Sequence, residues 1–184
     1  EQLATGGADG TIRLWSAATG SPLAILPGHT GETRWVGYAG AYLYSAGDDG
    51  SIKQWDVMAG LELANYQLDG DGLRSAAISP DGQYMASVHA DSSVRVWPLS
   101  DPASVERFHG HENATLAVAF SPDGSLLVTG GEDKSVRLWN LASEEELPAW
   151  GGHTGEVRTA IFSPDERTLL TTGHDGTVRL WDVG

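Results

Sequence analysis

Histidine, serine or threonine, and aspartate recur along this 184-residue chain at near-constant spacing: His29, Ser45 and Asp49; His111, Thr129 and Asp133; His153, Thr171 and Asp175. Drawn into one hydrogen-bonded network, such a trio could supply a nucleophile, a base and a group that orients the base, which is hydrolase chemistry. Two features count against it. The trio is repeated rather than single, and no Gly-x-Ser-x-Gly stretch that would raise a nucleophile on a strained turn is present. His109 and His111 look like half of a two-histidine metal site, but no third ligand stands near them and the chain has no cysteine. No phosphate-binding glycine loop, paired-cysteine motif or basic-aromatic patch occurs, so no cofactor or metal is expected.

The elements that position these residues are read from a repeated phrase. Residues 8–16, 48–56, 90–98, 132–140 and 174–182 all end on a tryptophan or one residue past it, and Trp15, Trp55, Trp97, Trp139 and Trp181 are spaced by 40, 42, 42 and 42. A period of about 40–45 residues closing on Trp-Asp marks one blade of a β-propeller. Within each period the residues alternate as short β-strands with turn punctuation and no helical stretch. The last repeat has a β-branched strand at 157–162, a Ser-Pro-Asp turn at 163–165, a second strand at 168–172, a tight reversal and a third strand at 177–181. Proline at the second position suits a type I turn. A short outer strand at 146–150 brings the count to four per period, labelled a to d in chain order. Earlier Ser-Pro-Asp-Gly turns stand at 79–82 and 121–124, and residues 39–41 replace the copy missing from the repeat of Trp55.

Counted this way the chain holds 18 strands. They divide into a first blade lacking strand a (1–27), three complete blades (28–68, 69–109 and 110–151) and a last blade lacking strand d (152–184). Propellers close with about 4 to 8 blades. The chain, beginning at Glu1, is therefore expected to be a contiguous part of a larger ring, with further blades from the same or another chain.

With five copies in register across essentially its whole length, the sequence resembles the WD-repeat β-propeller family. The resemblance implies that His, Ser or Thr, Asp and Trp pin each blade together. The implied sets are His29, Ser45, Asp49 and Trp55; His111, Thr129, Asp133 and Trp139; and His153, Thr171, Asp175 and Trp181. Thr5, Asp9 and Trp15 remain in the first blade. In the repeat of Trp97, Asp69 takes the histidine position and faces Asp91, with Ser87 and Trp97 otherwise in place. Two carboxylates about 4 Å apart repel by roughly 4 kcal/mol at an effective dielectric constant near 20. Asp69 is expected to turn to solvent, or the pair to share a proton or a cation; simple degeneration of one repeat is the alternative.

Twenty-five acidic residues against 11 basic ones give a formal charge of −14. That field repels phosphate, so neither nucleic acid nor an anionic membrane is expected as a partner. In WD-repeat proteins partners dock on the face bearing the d–a and b–c loops, around the central channel. The positions implied to face it are Arg34, Arg74, Leu116 and Arg158 on strand a, and Asp48, Glu132 and His174 before the turn aspartate. Trp35 lies beside them, as a partner anchor or as packing between blades. The arginines could hold a carboxylate-bearing ligand, or pair locally with Glu32, Asp48, Glu132 and Glu156. The acidic stretch 142–147 reads as a solvated connection. The resemblance and the absence of a catalytic set imply a non-catalytic scaffold that binds a protein or peptide. Two alternatives remain: a channel binding a small anion, with any chemistry supplied by missing blades or a fused domain, and a trimmed chain that assembles with other chains.

Overall fold

The computed structural model describes residues 1–68, 72–101 and 104–183. Asp69 lies outside the described residues, and with it the expectation of a carboxylate pair. Every element formed is a strand, as alternating β-branched and aromatic residues bounded by Gly, Pro, Asp and Ser dictate. Backbone contacts divide the chain into two compact units, residues 1–73 and 74–184.

In the first unit, β1 (Gln2–Gly6), β2 (Ile12–Ser16) and β3 (Pro22–Leu26) form one antiparallel sheet; β4 (Thr33–Ala39), β5 (Tyr42–Gly47), β6 (Ser51–Asp56) and β7 (Leu61–Gln67) form a second. The second unit begins within β8 (Leu73–Ile78), which pairs in order with β9 (Tyr84–His89), β10 (Val94–Pro98) and β11 (Glu106–Phe108). Next come β12 (Thr115–Phe120), β13 (Leu126–Gly131), β14 (Val136–Asn140) and β15 (Glu145–Trp150), and then the three-stranded sheet of β16 (Val157–Phe162), β17 (Thr168–Gly173) and β18 (Val178–Asp182). Each sheet is a meander in chain order.

The cores follow the repeat. In the first unit Ile12, Leu14 and Leu26 pack with Leu43 and Trp55. In the second, Val94, Val96 and Phe108 pack with Leu127 and Trp139, while Val136 and Leu138 pack with Val157, Leu169 and Trp181. One sheet thus offers the aliphatic residues flanking its Arg or Lys, and the next offers its tryptophan face. Each fully buried aliphatic side chain contributes about 1.5–3 kcal/mol.

The turns explain the sequence punctuation. Ser79 Oγ donates to Asp81 Oδ1 at 2.5 Å and accepts from the Tyr84 amide at 2.9 Å, and Ser121 and Ser163 repeat the arrangement. At the b–c reversals Gly10, Gly50 and Gly176 have φ of 78°, 76° and 75°, the left-handed region open to glycine. Ser92 and Lys134 hold the same place at 66° and 69°.

Candidate functional site

Three sheets share one polar chain. Trp55 Nε1 donates to Ser45 Oγ at 2.9 Å, Ser45 Oγ lies 2.8 Å from His29 Nε2, and His29 Nδ1 lies 2.9 Å from Asp49 Oδ1. The aspartate, acceptor-only, fixes the proton on Nδ1, so Nε2 accepts from the serine. Trp139, Thr129, His111 and Asp133 reproduce this at 2.9, 2.8 and 3.0 Å. Trp181, Thr171, His153 and Asp175 do so at 2.8, 2.8 and 3.0 Å. Each aspartate also accepts a loop amide (Thr30, Glu112 or Thr154) and the hydroxyl two residues on (Ser51, Ser135 or Thr177).

Burial lowers the pKa of His29 and His111, keeping both rings neutral despite their aspartates. Burial acts against the Asp49 carboxylate, but the hydrogen bonds from Ser51, Thr30 and His29 outweigh it and hold that group well below the usual range. The hydroxyls of this network cannot act as nucleophiles toward a substrate. Ser45, Thr129 and Thr171 are 0 % exposed, and each already accepts from the indole and donates to the imidazole.

The sheet of β8–β11 departs. Its imidazole comes from His89 on β9, whose Nε2 lies 2.7 Å from Ser87 Oγ. Position 89 corresponds to Gly47, Gly131 and Gly173, where an added Cβ would come within 2.4–2.6 Å of the His29, His111 and His153 rings. A ring from the loop and a side chain at this strand position therefore compete for one space, and here the strand residue occupies it. The substitute is incomplete. Asp91 accepts from Ser93 and Arg95 rather than from the imidazole, and His89 Nδ1 and Trp97 Nε1 are buried without a partner. The sequence placed Ser87 and Trp97 in one set; the structure has no bond between Trp97 Nε1 and Ser87, which spends its hydroxyl on His89.

The basic residue two before each tryptophan follows the same logic. Where a loop histidine serves the aspartate, the cation turns to strand d: Lys53 Nζ to Glu62 and Arg137 Nη1 to Glu146, both 2.7 Å. In the sheet of β8–β11, where the imidazole does not meet the aspartate, the cation turns back, Arg95 to Asp91 at 3.0 Å; in the first sheet Arg13 meets Asp9 at 2.5 Å. In the first sheet Trp15 still donates to Thr5 at 2.9 Å.

At the loop ends, strand a pairs with strand b through a register shift. Thr33 opposes Gly47 and Trp35 opposes Ala46; Thr115 opposes Gly131 and Ala117 opposes Gly130; Val157 opposes Gly173 and Thr159 opposes Thr172. Arg34, Leu116 and Arg158 are the extra residues of these bulges, a device that re-aims a side chain. The residue before each turn aspartate is tied to the same loop by its amide: Asp48 to Glu32 O, Glu132 to Ala114 O and His174 to Glu156 O, at 2.8–2.9 Å. Arg34 grips Asp48 through Nε and Nη2 at 2.7 and 2.8 Å and reaches Glu32 at 3.1 Å. Arg158 donates to Glu156. Arg74 is exposed and has no ion pair with a described residue, and Glu132 and His174 are exposed as well. Trp35 is half-buried, its ring over Gly37 of its own strand. Among the described residues no group of three or more His, Cys, Asp or Glu side chains is placed to hold a metal, and His111 is engaged by Asp133 and Thr129.

The family model described as "WD domain, G-beta repeat" matches residues 1–16, 20–56, 64–98, 103–140 and 145–182. The chain belongs to the WD-repeat family. Its relatives include coronin-7 of Rattus norvegicus, 36% identical over 91 residues, covering 44% of this chain and 10% of the relative. A WD repeat-containing protein 91 homolog of Dictyostelium discoideum is 37% identical over 71 residues, covering 37% and 9%. Nuclear distribution protein PAC1-2 of Uncinocarpus reesii is 39% identical over 57 residues, covering 30% and 12%. The matches thus span about a tenth of each relative. WD repeats serve in general as scaffolds for protein interaction. In this WD-repeat chain the sequence-level reading missed His89, the bulges and the alternation of the basic slot. A histidine standing where the four other repeats have glycine (Gly7, Gly47, Gly131 and Gly173) was the available signal for the first.

Proposed function

We propose that the chain is a non-catalytic interaction platform that binds a protein or peptide through the loop ends of its blades. The observation supporting this most directly is the division of labour within each repeat. The buried His, Ser or Thr, Asp and Trp set recurs in three sheets, whereas the pre-turn residue changes among them (Asp48, Glu132, His174), its amide bonded to the carbonyl of the residue two before the bulge residue of the same repeat. Within residues 74–184 these positions bring Arg74, Leu116, Glu132, Arg158 and His174 to the loop ends, with Glu112 and Glu156 in the same loops. Most are exposed, so they meet a partner without unfolding a blade. Arg34 and Asp48 in residues 1–73 satisfy each other in a forked pair and serve as a rigid polar contact rather than a free anion site.

Arg74 keeps the small-anion reading open, as an exposed guanidinium without an ion pair to a described residue. Both readings are tested together. Peptides selected from a random library on the wild-type chain are expected to bind the Arg74→Ala/Arg158→Ala chain about tenfold more weakly, a loss of ~1.4 kcal/mol, with circular dichroism unchanged. Undiminished affinity removes these arginines from the site; inorganic phosphate competing with the peptides favours the anion reading.

A further inference from the structure

Opposite the residue that precedes the signature tryptophan, three sheets place an apolar side chain on the outer strand: Ala24 opposite Leu14, Ala64 opposite Gln54 and Leu147 opposite Leu138. The sheet of β8–β11 places Glu106 there, opposite Val96. A charged group in an apolar slot breaks the pattern that the fold favours, and such breaks concentrate at functional sites. Glu106 is exposed and has no ion pair with a described residue.

The slot opens on a groove of about 260 Å³ between this sheet and the next, lined by Tyr84, Val96, Glu106, Ser125, Leu141 and Ala142. Its floor is apolar and continuous with the core: Val96 is 3% exposed, and Leu141 packs on the same cluster of buried residues. Tyr84, exposed at the start of β9, lines one side, and the hairpin carrying Leu141 and Ala142 lines the other. The turns at 79–82 and 121–124 meet beside it, with Pro80 Cδ 3.9 Å from the place that a Cβ on Gly124 would take.

The rim is acidic. Residues 79–84, 104–106, 121–126 and 140–146 hold six acidic residues in 22 positions, against 25 in 184 for the chain, and no Lys, Arg or His. Glu146 meets Arg137, whereas Asp81, Glu106, Asp123, Glu144 and Glu145 have no cation as partner among the described residues. The hydroxyls of Ser79 and Ser121 hold the Asp81 and Asp123 carboxyls below the usual range, so both stay ionised.

We propose that this groove binds a basic segment of a protein partner, seating one large apolar side chain on Val96 and Leu141 while flanking Lys or Arg residues face Glu106, Glu144 and Glu145. The buried anchor supplies affinity and the carboxylate rim selects the partner by charge. At about 260 Å³ the groove is smaller than the roughly 300–1,000 Å³ of small-molecule sites, which favours one anchoring side chain of a larger partner over a free ligand. The groove lies at the strand ends opposite the loop ends and uses none of their residues. It therefore stands or falls separately from the platform reading, whose peptides depend on Arg74 and Arg158.

The test is a fluorescein-labelled peptide, Lys-Lys-Phe-Lys-Lys, titrated with the 184-residue chain at physiological salt while backbone amide resonances are followed. Saturable binding is expected, with shifts concentrated on residues 84, 96, 106, 124–126 and 141–145. Replacing the peptide's phenylalanine by glycine, which keeps its charge and leaves the protein untouched, is expected to weaken binding at least about tenfold. E106Q is expected to weaken the parent peptide about two- to fivefold, whereas E166Q, the same charge change in the turn at 163–166, leaves it unchanged. Absent saturation, equal binding of the glycine peptide, equal losses in E106Q and E166Q, or shifts spread over the whole acidic surface would each overturn the proposal.

Discussion

At position 89 a neutral imidazole is held among charges it cannot use. Burial lowers the His89 pKa to about 4, and Arg95 and Arg107 add to that while Asp91 opposes it. A histidine whose folded pKa lies below its unfolded value of 6.5 binds fewer protons when folded, so stability rises with pH between the two values. The contribution is fully present above pH 6.5 and is lost as pH falls toward 4. At ~1.4 kcal/mol per pH unit the interval corresponds to roughly 3 kcal/mol. Urea unfolding at pH 7.0 and 4.5 is expected to show a smaller loss of stability for H89Q than for wild type. Equal losses would place the acid sensitivity on other groups, such as His29 and His111. The role of position 89 was not legible in the sequence, because competition between a loop ring and a strand Cβ for one space is visible only once both are placed.

At the scale of the element, strands and turns were legible because their causes are local: alternation of side chains, Pro at a type I turn, Gly where φ is positive. The bulges at Arg34, Leu116 and Arg158 were not, because a register shift is a property of two strands together. The same holds for the cations before each tryptophan. Lys53 and Arg137 reach a glutamate on the neighbouring strand, whereas Arg95 turns to Asp91 in the sheet whose imidazole comes from the strand instead of the loop. The tight reversals allow a simple check. Lys134 holds φ of 69° where Gly10, Gly50 and Gly176 stand in other repeats. A left-handed L-residue costs about 1–2 kcal/mol, and the greater freedom of an unfolded glycine returns roughly half of that. Lys134→Gly is thus expected to raise the urea midpoint slightly with an unchanged slope; a lowered midpoint would mean that the lysine side chain makes a contact outweighing the strain.

For the molecule as a whole, the repeat fixes the fold, and the proposed binding surface lies on loop-end residues outside the shared buried set. Acidity of −14 repels phosphate-bearing partners at long range, and the matched relatives are about ten times longer than the matched stretch. The central claim, that the loop ends are the binding surface, is tested most directly by mapping a library-selected peptide onto the chain through backbone amide shifts. Within residues 74–184 the account predicts shifts at 112–116, 132–133, 154–158 and 174–175, with the Ser-Pro-Asp turns at 79–82, 121–124 and 163–166 unmoved. Shifts confined to those turns would place the partner on the opposite ends of the strands and contradict it.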